Sequence, residues 1–168
     1  MESTKQLWGS RFSKSLDKKT NDFNSSLSFD CVLYKYDILG SIAHTKMLFE
    51  QNIISNEEKE KIINDLNQIL NELNEGKIQF DFKYEDIHTF KEKLLVDKIG
   101  DTGKKVHTAR SINDQVALDI RLYLKDEIRN IQKLLINLIK TLISMQDDNL
   151  ETLMPGYTHL QRAQATTL

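Results

Sequence analysis

Proline occurs once and glycine six times in 168 residues. So few turn-formers exclude a chain built from hairpins and short strands, and they favour long helices rich in Leu, Ile, Lys, Glu, Asn and Gln. A single cysteine, Cys31, excludes an internal disulfide framework and suits a reducing compartment. No run approaches the roughly 20 apolar residues that a bilayer span needs. Charge of one sign is lacking too: 23 Lys and Arg stand against 25 Asp and Glu, a net of −2, which gives no electrostatic reason to expect nucleic acid or an anionic membrane as partner. Met1 is followed by polar residues rather than an apolar run, so no signal peptide is expected and the reading is cytoplasmic. There are four histidines, no two at metal-ligand spacing, and one cysteine, so a metal site is not expected.

What is present is helical patterning. Residues 1–29 show weak periodicity and read as an irregular arm. Leu33, Ile38, Ile42, Leu48 and Phe49 recur at helical spacing across Gly40. Ser55-Asn56-Glu57-Glu58 has the form of a capping box, opening a helix with Ile62, Leu66, Ile69, Leu70 and Leu73 on one stripe. A third helix is expected from about Glu85 to Lys98, stopped by Gly100-Asp101-Thr102-Gly103. After Ser111 and Asp114 there is no Gly or Pro until Pro155. The apolar seam from Ala117 to Met145 predicts one rod of some 35 residues, about 50 Å long, the alternative being two shorter helices with a break between them. A 168-residue domain has a radius of gyration of only roughly 15 Å, so the rod needs partner helices along most of its length. Beyond Met154-Pro155-Gly156 another helix is expected to begin.

Three segments carry chemistry. Glu85-Asp86-Ile87-His88 sets two carboxylates beside an imidazole, which alone is equally well an exposed acidic cap with a surface histidine. The loop from His107 to Gln115 places Ser, Asn and Gln donors at a helix amino terminus, an arrangement that either binds an anion or simply caps the rod. Tyr157-Thr158-His159-Leu160-Gln161-Arg162-Ala163-Gln164 adds a hydroxyl, amides and an imidazole suited to acid–base work near neutral pH.

Together with Leu7-Trp8-Gly9-Ser10-Arg11-Phe12, Phe23-Asn24-Ser25-Ser26-Leu27 and Gly40-Ser41-Ile42-Ala43-His44, these segments occur in an order and spacing that closely resemble argininosuccinate lyase, of the fumarase and aspartase superfamily. The resemblance covers essentially the whole chain. It implies an all-α fold: a small helical amino-terminal domain (1–110), then the start of a central helical bundle (111–168). It also implies a homo-oligomer held by the long helix, with active sites assembled from several subunits. The implied reaction is elimination of fumarate from argininosuccinate to leave arginine, without cofactor. Carried over by motif, Ser26, Asn113 and Thr158 contact substrate, His159 is the acid–base catalyst, and His88 and Ser111 support them.

The chain departs from the family pattern. Before the rod the family reads Thr-Gly-Arg-Ser-Arg-Asn-Asp-Gln; here Ala109 stands for Gly, which strains the turn only if φ is positive there, and Ile112 for Arg. Ser10 replaces a Gly, Lys91 an apolar residue, and Ala165 a Pro. The family's Gly-Ser-Ser loop ending in Met-Pro-Gln-Lys, which carries the serine usually assigned as base, does not occur. A truncated, catalytically dead copy is therefore expected, with a non-catalytic helical interaction or oligomerisation protein as the alternative.

Overall fold

The computed structural model describes residues 17–167. The Leu7 to Phe12 motif, with Ser10, lies outside them. Helices α1 (Lys18–Asn24), α2 (Leu27–Asp30), α3 (Tyr34–Glu50), α4 (Asn56–Asn74), α5 (Ile87–Ile99), α6 (Asp101–Lys104) and α7 (Ile112–Asp148) precede two strands, β1 (Leu153–Thr158) and β2 (Gln161–Thr167). Short 3-10 turns, Cys31–Leu33 and Lys105–His107, lead into α3 and out of α6. The fold is all-α with one small hairpin. No helix among the described residues is long and apolar enough to cross a membrane.

The chain divides into two compact units, Met1–Tyr123 and Leu124–Leu168. In the first, α3, α4 and α5 pack around Ile38, Leu48, Ile62, Leu66, Ile69 and Leu95. These include the stripe residues expected from periodicity, and burying each contributes roughly 1.5–3 kcal/mol. Ser55 accepts from the Glu58 N–H at 3.2 Å while Glu58 accepts from the Ser55 N–H at 3.0 Å, which completes the capping box of α4. A second cluster joins Leu27, Leu33, Ile87 and Phe90, with the Phe90 ring meeting Phe80 and Tyr84. Gly40 belongs inside α3 because a Cβ there would lie 2.9 Å from Leu118 Cδ2 of α7. A side chain there would force the Leu118 side chain to shift.

Two expectations need correction. The stretch read as an irregular arm contains α1 and α2; Asp17 caps α1 by accepting from the N–H groups of Lys19 and Thr20. Length hid both, since helices of 7 and 4 residues are too short to show a period. At the other end, no helix follows Pro155. Residues 153–167 form an antiparallel hairpin pairing Met154 with Thr166 and Thr158 with Gln161. The two residues between the strands include His159 at φ 54°, the positive φ that tight hairpin turns require. Gly156 faces the Gln164 carbonyl so closely that a Cβ would lie 2.7 Å from its oxygen.

The rod is continuous. α7 runs 37 residues, about 55 Å. In the second unit every residue of this helix from 128 to 148 is exposed, the apolar ones included.

Candidate functional site

The loop before α7 is held on α3 by three side-chain bonds. His44 Nε2 donates to the Thr108 carbonyl at 2.8 Å, which fixes its tautomer. Arg110 Nη2 donates to Ser41 Oγ at 3.1 Å, and Gln115 Nε2 donates to Asp37 Oδ1 at 3.0 Å. Between these anchors Ser111 Oγ accepts from the Asn113 N–H at 3.2 Å, and Asp114 accepts from the Ser111 N–H at 3.0 Å. Ser111 and Asn113 are exposed, at the start of a long helix where N–H groups and the helix dipole favour an anion. Capping employs the backbone donors of Ser111 and Asn113, and the Asn113 side chain stays at the surface.

Ala109 has φ 56°, so the residue standing where the resemblance expects Gly is left-handed. A Cβ in that region costs about 1 kcal/mol. Ala109→Gly is expected to stabilise the chain by roughly 0.5–1 kcal/mol, read as a higher urea midpoint; an unchanged or lower midpoint would show the turn to be unstrained.

Ser26 sits between α1 and α2. Its N–H donates to the Glu85 carbonyl at 2.7 Å and its hydroxyl donates to Asp30 Oδ2 at 2.6 Å. The fold thus brings the Phe23–Leu27 motif against the Glu85–His88 motif, 59 positions apart for Ser26 and Glu85. Asp86 caps α5, accepting from the Thr89 N–H at 2.7 Å. His88, the second residue of α5, is not a surface histidine: it is buried, with Nδ1 3.2 Å from Asp37 Oδ1 and 3.7 Å from Asp119 Oδ2. Thr158 and His159 lie on the hairpin of the second unit, both exposed.

Sequence reasoning missed the interior polar cluster around His88. Asp37, His88, Lys91, Gln115 and Asp119 are each no more than 3% exposed. Lys91 Nζ lies 3.0 and 2.8 Å from the two oxygens of Asp37 and donates to Ser41 Oγ at 2.7 Å. Burial raises the Asp37 carboxyl, but Lys91 and His88 outweigh it and hold it far below the usual carboxylate range. Asp119 makes no hydrogen bond through either oxygen and has His88 Nδ1 3.7 Å away. Burial, and then the charge of Asp37, push it up to about 7. Burial lowers His88 while its hydrogen bond to Asp37 raises it, and the net direction is up. Ligand atoms of Asp37, His88 and Asp119 fall within 4.8 Å of one another. The Lys91 ammonium already supplies the cation beside Asp37, so the donor set is that of a proton-holding cluster rather than of a metal centre.

The family described as Lyase matches residues 10–168. The argininosuccinate lyase of Acetivibrio thermocellus is 59% identical over 162 residues, which are 96% of this chain and 35% of that protein. That of Ruminiclostridium cellulolyticum is 56% identical over 163 residues, 97% of this chain and 36% of that protein. The chain therefore spans about a third of the length of the curated relatives it matches. Among solved structures, EDDS lyase in complex with formate superposes with a TM-score of 0.66 at 27% identity, over 89% of this chain and 29% of that one.

Proposed function

This chain belongs to the lyase family of the fumarase and aspartase superfamily, and from that premise we propose that it is the portion of an argininosuccinate lyase that brings substrate-contacting loops to the site. The observation that carries this reading is identity above 50% to argininosuccinate lyases along nearly all of the chain. The loop geometry supports it. In the elimination a proton leaves the carbon beside a carboxylate, and charge builds on an aci-carboxylate that hydrogen-bond donors must stabilise. Asn113 and the start of α7, stiffened by Ser111 and tied to α3, offer such donors. Ser26, its hydroxyl held on Asp30, and Thr158, on the separate second unit, are the further substrate contacts that the resemblance assigns. His159, an exposed imidazole on a tight turn, serves as the acid–base group, and the departing guanidinium nitrogen is protonated as it leaves. His88 supports these groups as part of the interior cluster.

A chimera tests this: residues 1–168 replace the matching third of the Acetivibrio thermocellus enzyme, with Ile112→Arg included. Fumarate release from argininosuccinate, followed by absorbance, is expected, and His159→Asn is expected to lower it by about 10²–10⁴-fold. A folded chimera that releases no fumarate, or one indifferent to His159→Asn, would sink the assignment. The second reading, a helical protein that self-associates without catalysis, is favoured by the apolar exposure of residues 128–148 alone. Mixing the chain with a full-length lyase subunit separates the two: mixed assemblies support an enzyme part, and their absence supports independent binding.

A further inference from the structure

A lysine buried to 2% exposure is costly unless its charge is answered, and Lys91 is answered entirely by α3. Its ammonium donates to Asp37 Oδ1 and to the Ser41 hydroxyl, and lies 2.8 Å from Asp37 Oδ2 as an ion pair. One turn earlier on α5, His88 turns Nδ1 toward two carboxylates at once, Asp37 at 3.2 Å and Asp119 at 3.7 Å. Asp119, 1% exposed, has no hydrogen bond to either oxygen, so His88 is its nearest proton source. Counting charges within the cluster, Lys91 cancels Asp37, which leaves an imidazole and a carboxyl.

We propose that Lys91 is a positioning residue for His88: by neutralising Asp37 it leaves His88 and Asp119 as a buried pair with one proton between them. Without the ammonium, two carboxylates would confront one imidazole, and His88 would be locked as imidazolium. With it, the ring holds its proton less tightly than it would beside two uncompensated carboxylates. The groups that face His88 are Asp30 from α2, Asp37 from α3, Lys91 from α5 with Asp86 at its cap, and Asp119 from α7. The guanidinium of Arg110, in the loop before α7, acts on Asp119. All of them lie in the first compact unit, so the inference stands on that unit and needs no turnover.

The test is a titration of the 168-residue chain labelled with ¹⁵N-histidine, reading the ring nitrogens of His88 by NMR and identifying them by their absence from His88→Gln. Lys91→Met keeps length and replaces the charge with an apolar group. The His88 midpoint is expected to rise by at least about one pH unit, tenfold in proton affinity, and Lys91→Arg is expected to hold it near the native value. Adding Asp37→Asn to Lys91→Met removes both charges and is expected to return the midpoint to within about half a unit of native. A Lys91→Met midpoint that stays put or falls overturns the proposal. If Lys91→Met does not fold, the charge-balanced double variant decides. It must fold with a near-native midpoint; unfolding, or a midpoint displaced by about a unit or more, overturns the proposal as well. A purely packing role for Lys91 would move none of these midpoints selectively.

Discussion

The 168-residue chain alone is expected to release fumarate from argininosuccinate at least about a hundredfold more slowly than an intact lyase. Two deficits combine. The sequence contains no Gly-Ser-Ser or Met-Pro-Gln-Lys segment, so the serine that the family resemblance assigns as base has no counterpart. Ile112 also stands where that resemblance places an Arg for a substrate carboxylate. It is the first residue of α7, beside the exposed Ser111 and Asn113, which is where a guanidinium would reach an anion at the helix start. A charge-assisted hydrogen bond of that kind contributes roughly 1.5–3 kcal/mol. Restoring it with Ile112→Arg should therefore do nothing measurable in the isolated chain, because carboxylate binding cannot replace a missing proton acceptor. In the chimera the same substitution, compared with Ile112, should raise the rate by about 10- to 150-fold. Equal rates with isoleucine and arginine in the chimera would show that the position does not contact substrate. Turnover by the isolated chain within a hundredfold of ordinary lyase rates would show that the base lies among the residues present.

The rod and the stripe of α4 were legible because long periodic helices repeat one signal many times, and Ser55 and Glu58 marked a start that chemistry makes reciprocal. The hairpin was less legible. Its strands carry one Pro, one Gly and polar residues on both faces, and the deciding feature, a positive φ at His159, belongs to no residue type that announces it. The interior cluster was the hardest to see. Asp37, Lys91 and Asp119 each read as surface charges on amphipathic helices, since nothing local tells a solvated carboxylate from one met by an ammonium 54 positions away. Only the packing of α3, α5 and the first turns of α7 brings them together. The loop from His107 to Gln115 is more legible: its polar residues are contiguous in sequence, and only the anchors that hold it, His44, Ser41 and Asp37, come from the fold.

In solution the chain is expected to be a homo-oligomer with the second half of α7 at its centre, and Leu135→Glu is expected to dissociate it. The compact unit ending at Tyr123 has its own core. The helix beyond carries Ile128, Ile131, Leu135, Leu138, Leu142 and Met145, each about half exposed. Their spacing of threes and fours makes one seam, and Leu134, Ile139 and Ile143 widen it. Fully burying one such side chain gains roughly 1.5–3 kcal/mol, so several together outweigh the 4–15 kcal/mol that association costs. Lys125, Arg129 and Lys133, interspersed along the same helix, suit the polar rim of such an interface. A glutamate at position 135 would place a carboxylate mid-seam, where burial without a partner costs more than any one leucine contributes. Sedimentation equilibrium at micromolar concentration measures the outcome. A native chain that sediments as a monomer refutes association, and a Leu135→Glu chain that keeps the native mass and helicity shows that the contact lies on another face.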